Sequence, residues 1–221
     1  MPNDVSDGLN ELSGVHPLRE AMAHFLGQQL TPEVAAAIES FVLGDSRPID
    51  VGQMPPLQCG EYTISATRLR PVLAELHELH QQHWLETEKH RLGLPLKPNY
   101  GYMLARDQGG SMVQFIVRHS GNIVGNLRMY VGTSLHSGTK FAEEDTLFIL
   151  PEHRTGMLGL KLLRYAESCL LSIGVREIRA DSKLVNKADV LMRRMGYKPV
   201  ATKFIKVFAC EAETQEASHV R

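Results

Sequence analysis

The chain has 221 residues, 43% hydrophobic and 22% charged, with 24 Lys and Arg against 25 Asp and Glu. That balance excludes a disordered or fibrous polymer, and a net charge of -1 excludes the single-sign field of a protein that coats nucleic acid or an acidic membrane. Three cysteines, Cys59, Cys169 and Cys210, form neither an even disulfide set nor a metal-ligand spacing, which suits a reducing compartment. The first residues, MPNDVSDGLNELSG, are polar and acidic, and no window reaches the length of a membrane span, so the expected location is the cytoplasm.

In chain order, VHPLREAMAHFLGQQL sets Val15, Leu18, Met22, Phe25 and Leu26 on one helical face. Thr31 as N-cap, Pro32 at the first position and Glu33 in the first turn open a second helix, which Gly44 ends. Residues 45–60 mix prolines and glycines without periodicity and read as a linker. Residues 1–60 are therefore expected to be a helical extension with its linker, 61–210 the main domain and 211–221 a polar tail. Within the main domain a strand is expected at 62–68 and a long helix at 70–91, with Val72, Leu73, Leu76 and Leu79 inward. A short helix at 102–106 precedes two strands, MVQFIVRH and NIVGNLRMYVG, joined by the hairpin signal Ser120-Gly121. A strand at 145–150, a helix at 157–173 ended by Gly174, the strand VREIRADS, the helix NKADVLMRRM closed by Gly196 and a last strand KPVATKFIKVF complete the pattern. Strands that alternate with helices point to an α/β fold.

The run HELHQQHW places His77, His80 and His83 within about 120° of one helix face at 100° per residue. The HExxH arrangement is absent, so these residues read as a polar edge of the helix and no metal is expected.

The stretch PEHRTGMLGLKLLRYAE, residues 151–167, follows the apolar run DTLFIL. A strand, a turn containing glycine and a helix start make an anion site from backbone alone. The first turn of a helix has N–H groups without intrahelical partners, and the helix dipole adds positive potential there. Neither a P-loop ending in Lys-Ser/Thr nor GxGxxG after an early strand is present, which argues against ATP and NAD.

Residues 140–197 carry two linked elements, LFILPEHRTGMLGLKLLRYAE and ADVLMRRMGYKPV, which together resemble the GNAT superfamily of acyl-CoA-dependent N-acetyltransferases. The spacing of Arg154, Gly156 and Gly159 is Arg-x-Gly-x-x-Gly instead of the usual Arg-x-x-Gly-x-Gly, a variant similar to a phage and prokaryotic subgroup. The resemblance implies a GNAT fold, a mixed central sheet flanked by helices, here with an N-terminal helical extension. It implies direct attack of an amine on acetyl-CoA in a ternary complex, with acetyl-CoA as cosubstrate and no metal. It places the pantetheine arm on the strand edge Phe148, Ile149 and Leu150 and the pyrophosphate on Arg154, Thr155, Gly156, Met157, Leu158, Gly159 and Leu160. Asn186 lies beside Val185, where the family has its asparagine. An N–H near Ile149 is the implied oxyanion donor, and Glu143 or Asp145 the implied base, with Glu144 on the opposite strand face. Trp84, Glu86, Tyr100 and Tyr102 are the implied acceptor contacts.

The pattern departs from the family at Met192, which stands where many members carry a tyrosine general acid, and a thioether has no proton to donate. For the leaving group Tyr197 and Ser182 are the neighbouring hydroxyls in the pattern, and departure of the CoA thiolate without protonation is the alternative. The departure supports a second reading, a weakly catalytic interaction protein that keeps the fold, such as a phage effector binding or modifying a host enzyme. The expected partner is a small-molecule or protein amine, with a host protein under the second reading, and neither nucleic acid nor membrane. The pattern leaves open the acceptor, the oligomeric state and the role of the N-terminal helices.

Overall fold

The computed structural model describes residues 23–43, 48–87, 95–182, 188–203 and 206. Their elements are α1 (Pro32–Leu43), β1 (Leu57–Cys59), β2 (Tyr62–Thr67), α2 (Leu69–Thr87), α3 (Tyr100–Gln108), β3 (Met112–His119), β4 (Asn122–Thr133), β5 (Lys140–Ile149), α4 (Leu158–Ser172), β6 (Glu177–Arg179) and α5 (Ala188–Arg194). The strands form one sheet in sequence order, antiparallel throughout except for the parallel pair β5 and β6. A parallel pair needs a crossover, and α4 supplies it. At the β3–β4 turn Ser120 and Gly121 both have positive φ, 49° and 86°, the geometry that matches the twist of a tight hairpin.

Alternation along the strands sends neighbouring side chains to opposite faces. On one face Val113, Phe115, Val117, Leu127, Met129 and Val131 share a core with Leu158, Leu162, Leu163, Ala166 and Leu170 of α4. On the other, Met112, Ile116, Ile123 and Phe148 pack with Leu69, Val72, Leu76 and Leu79 of α2. Each large aliphatic buried this way stabilises the fold by about 1.5–3 kcal/mol.

Several elements differ from the sequence pattern. Part of the 45–60 stretch is built into the fold: Ile49 and Met54 are buried in the α4-side core, and β1 joins the sheet. Tyr165 of α4 fixes that join, because its hydroxyl donates to the Met54 carbonyl at 3.2 Å and accepts the Ala66 N–H at 3.1 Å. β5 begins at Lys140, five residues before the expected start, since three consecutive acids hide its alternation. β6 spans three residues of the expected eight. Residues 198–203 and 206 have no strand conformation, and the rest of that expected strand lies outside the described residues. So do most of the helix expected at 15–26 and the end of the helix expected at 70–91. Among the described residues no helix is long and apolar enough to cross a membrane.

Candidate active site

The parallel pairing of β5 with β6 covers Phe141, Ala142 and Glu143 against Glu177, Ile178 and Arg179, while β5 continues to Ile149. β6 ends at Arg179, so past Glu143 the edge of β5 has no partner strand among the described residues, which leaves a gap in the described sheet. Leu150 donates its N–H to the Val124 carbonyl at 2.9 Å on the β4 side. By alternation the peptide groups of Leu147 and Ile149 therefore face the gap. The Ile149 carbonyl accepts from Arg154 Nε at 2.7 Å.

The gap leads to the turn before α4. Residues Pro151–His153 form one 3-10 turn, Gly156 has φ 60°, and the first bond of α4 runs from the Lys161 N–H to the Met157 carbonyl. The amides of residues 158–160 thus lie at a helix start, where a diphosphate finds donors and a favourable dipole. A Cβ added at Gly156 would meet no atom within 4 Å, so the space over the loop is open and glycine is needed for its backbone angle. At Gly159 an added Cβ would make ordinary contacts, 3.5 Å to Leu191 and 3.8 Å to Ile149. Phe148, Ile149 and Leu150 thus meet the 154–160 loop at one end of the gap. The Leu158 and Leu160 side chains are buried, whereas Met157 is exposed. Asn186 lies outside the described residues.

A cavity of about 290 Å³ opens beside the other end of the gap. Glu143, Glu144, Asp145 and Leu147 of β5 line it, with His83 of α2 and Tyr130 of β4 on one side and Asp181, Ala188, Met192 and Lys203 on the other. Between β4 and β5 the register pairs Arg128 with Thr146 and Met129 with Glu144, so Asp145 is the extra residue of a β-bulge. Glu143 lies opposite Tyr130. Lys203 Nζ donates to Asp181 at 2.5 Å, and this bond, with the charges of Glu143 and Glu144, raises its pKa above the usual range.

Asp145 is anchored from beneath. Arg128, 2% exposed, donates from Nη1 to Asp145 Oδ2 at 3.0 Å, and the Thr146 hydroxyl donates to the same oxygen at 3.1 Å. The other arms of the guanidinium reach Gln114 Oε1 at 3.3 Å and His80 Nε2 at 2.6 Å. A guanidinium only donates, so His80 Nε2 accepts and its proton sits on Nδ1, which faces the Tyr100 hydroxyl at 3.2 Å. The Tyr100 hydroxyl also lies 2.9 Å from His77 Nδ1. His77 Nε2 accepts from the Gln81 amide nitrogen at 3.0 Å. Burial and the Arg128 charge hold the His80 pKa down at about 3, so the ring stays neutral and its Nε2 remains an acceptor for Arg128.

The remaining sequence candidates fall elsewhere. Glu86 accepts from Arg154 Nη2 at 2.6 Å at the end of α2, and Tyr100 serves the network under Asp145. Tyr102 is exposed and accepts from Arg106 Nη1 at 3.1 Å, and Trp84 is half-buried away from the cavity lining. Burial pushes the Tyr197 phenol well above its usual range, helped by the hydrogen-bonded Glu167 carboxylate and the Glu144 charge, and Tyr197 packs against the α4-side core. Ser182 is exposed. The sequence reading missed Arg128, His80, Tyr130, Asp181 and Lys203. Two of these carry a signal: Arg128 is a lone cation in the apolar run NIVGNLRMYVG, and His80 lies one helical turn after Leu76 on the inward face of α2.

A family model described as the Acetyltransferase (GNAT) family matches residues 73–197. A comparison with curated protein sequences gives no match. Among solved structures the chain is similar to a ribosomal-protein-alanine N-acetyltransferase from Brucella melitensis biovar Abortus 2308, with 15% identity and a TM-score of 0.54 over 67% of this chain and 99% of that one. It is similar to a glucosamine-6-phosphate N-acetyltransferase from Arabidopsis thaliana, with 15% identity and a TM-score of 0.52 over 67% and 99% of the two chains. It is also similar to AAC(6')-Iy in complex with the bisubstrate analog CoA-S-monomethyl-acetylneamine, with 16% identity and a TM-score of 0.53 over 67% and 99%. At such identities the likeness speaks for the fold, and the family match covers the gap, the loop and every cavity-lining residue except Lys203. The chain belongs to the GNAT acetyltransferase family.

Proposed function

We propose that the protein transfers an acetyl group from acetyl-CoA to an amine by direct attack in a ternary complex. The observation that carries this reading is the edge of β5 past Glu143, unpaired among the described residues, which lies between an acid-lined cavity and the amide-lined start of α4. In this reading the amides of Gly156 to Leu160 and the side chain of Arg154 hold the pyrophosphate. The gap-facing peptide groups of Leu147 and Ile149 bond to the pantetheine arm and polarise the thioester carbonyl. The acceptor enters the cavity from the α2 and α3 side, where His83 and Tyr130 stand.

An ammonium cannot attack a thioester, so the acceptor must first lose a proton. Glu143 is the base in this reading, because it lies exposed in the cavity while Asp145 is held by Arg128 and Thr146. Asp145 then acts as a fixed negative charge that attracts the acceptor ammonium. AAC(6')-Iy, bound to an acetylneamine-containing analog, supports a small-molecule amine as acceptor here.

Calorimetric titration with acetyl-CoA and with CoA tests the loop, and thiol release across a panel of amines tests the transfer. Micromolar binding with amine-dependent thiol release is the expected outcome. Binding without release from any amine would favour an interaction protein that keeps the fold, the reading that Met192 in the cavity wall supports. No binding would overturn the assignment of the loop.

A further inference from the structure

We propose that Tyr130 is the proton donor to the departing CoA thiolate, an assignment that rests on the acetyl-transfer reading above. In that transfer the acceptor nitrogen forms the new C–N bond, the C–S bond breaks, and its electron pair goes to sulfur. The sulfur takes the Tyr130 hydroxyl proton to become the CoA thiol. The phenolate regains a proton from the acceptor ammonium, directly or through Glu143, so the sum is acetyl-CoA plus amine giving amide plus CoA.

The case for Tyr130 comes from what lines the cavity. Met192, Leu147 and Ala188 carry no exchangeable proton, and a carboxylate only accepts. The remaining donors are His83, Lys203 and Tyr130. Lys203 has a side chain 67% exposed and its ammonium is engaged by Asp181. The His83 ring lies against Phe148, with centroids 5.4 Å apart. Tyr130 stands on the long central strand β4, opposite Glu143, so the donor and the base share one rung of the sheet. Its ring is held by the Arg106 guanidinium, 4.5 Å from the centroid.

The charged and titratable groups around Tyr130 are Arg106 of α3, Arg128 of its own strand, Glu143 and Asp145 of β5 and His83 of α2. Burial first, and the Asp145 charge second, raise its phenol pKa above the usual range, which keeps the hydroxyl protonated through neutral pH. Met192 lines the same cavity from α5, so a hydroxyl introduced there reaches the same space.

The experiment is Tyr130→Phe, which keeps the ring and removes the hydroxyl. The expected result is a fall in kcat of at least about tenfold, toward the lower end of what a general acid contributes. The acetyl-CoA Kd stays within about twofold, and adding Met192→Tyr to Tyr130→Phe recovers part of the loss. Should Tyr130→Phe fold poorly, Tyr130→3-fluorotyrosine makes the phenol more acidic, and the alkaline limb of the kcat profile moves to lower pH. An unchanged kcat, a rise confined to acceptor KM, or an alkaline limb that ignores the fluorine would overturn the assignment while wild-type turnover stands. A wild-type protein that fails to bind acetyl-CoA would instead overturn the reading beneath it.

Discussion

The two halves of β5 build their part of the site from different material. From Lys140 to Thr146 the strand contributes side chains, and Asp145 depends on Arg128 of β4, which depends in turn on Gln114 of β3 and His80 of α2. From Leu147 onward the strand contributes peptide groups, and the loop that follows adds helix-start amides and one positive φ at Gly156. A site made of backbone is contiguous in sequence and indifferent to most side chains. A site made of side chains is assembled from distant residues and fails when any one partner goes.

The sharpest test of that contrast is Asp145→Asn. It leaves the buried Arg128 guanidinium without an anion, and removing one partner of a buried pair costs about 3–5 kcal/mol. Asp145 is 29% exposed, which places the expected loss at the lower end of that range, read from urea unfolding. Acetyl-CoA affinity should change by less than about twofold. A large loss of cofactor affinity with normal stability would break the division between the halves.

The reciprocal test acts on the loop. A β-branched residue at φ 60° is strained by about 1–3 kcal/mol, so Gly156→Val should weaken acetyl-CoA binding by about 100-fold in a titration. Gly159→Ala, whose added methyl would make only ordinary contacts, should stay within about threefold. Equal effects at the two glycines would mean that side-chain volume and not backbone angle governs the loop.

His80 gives the network a pH signature. The ring titrates at about 3 when folded, against an ordinary value of 6.5. The unfolded chain therefore binds the proton first as pH falls. The stability that His80 contributes is complete above pH 6.5 and is lost progressively toward pH 3. Between pH 6.5 and pH 5 the expected loss is about 1–2 kcal/mol. His80→Gln, which retains an acceptor for Arg128, should flatten stability over that interval, and an unchanged slope would remove His80 from the acid response.

This contrast also explains what could be read from the residues. The strand-glycine-helix order of 145–173 and the Ser120-Gly121 turn are local patterns, and both appear in the fold as strand, loop and hairpin. The bulge at Asp145 is a relation between two strands, with no local mark on either. Alternation does separate Glu143 from Glu144, but it says nothing of Arg128 beneath Asp145. The histidine run looked like a helix edge, yet His80 is buried under a guanidinium contributed 48 positions away. The resemblance implies Glu86 and Tyr100 as acceptor contacts, since they lie on the first long helix and just after it, and their partners, Arg154 and His80, are tertiary choices that spacing does not encode.

Glu86 stands where the two halves meet. Arg154 is held by three contacts at once: Nε to the gap-facing Ile149 carbonyl, Nη2 to Glu86, and its guanidinium 5.2 Å from the Phe148 ring centroid. A pantetheine amide that bonds to Ile149 competes with the first contact, and a pyrophosphate competes with the second for the same cation. The Arg154–Glu86 pair is 40% and 34% exposed, so it contributes about 0–1 kcal/mol and holds Arg154 weakly. Glu86→Gln should free the arginine for phosphate and tighten acetyl-CoA binding by about threefold at low salt, an effect that shrinks as ionic strength screens the charges. If Glu86 instead serves the acceptor, the same change leaves acetyl-CoA binding alone and raises the KM of the amine. The sign of one titration thus assigns Glu86 to the backbone half of the site or to the side-chain half.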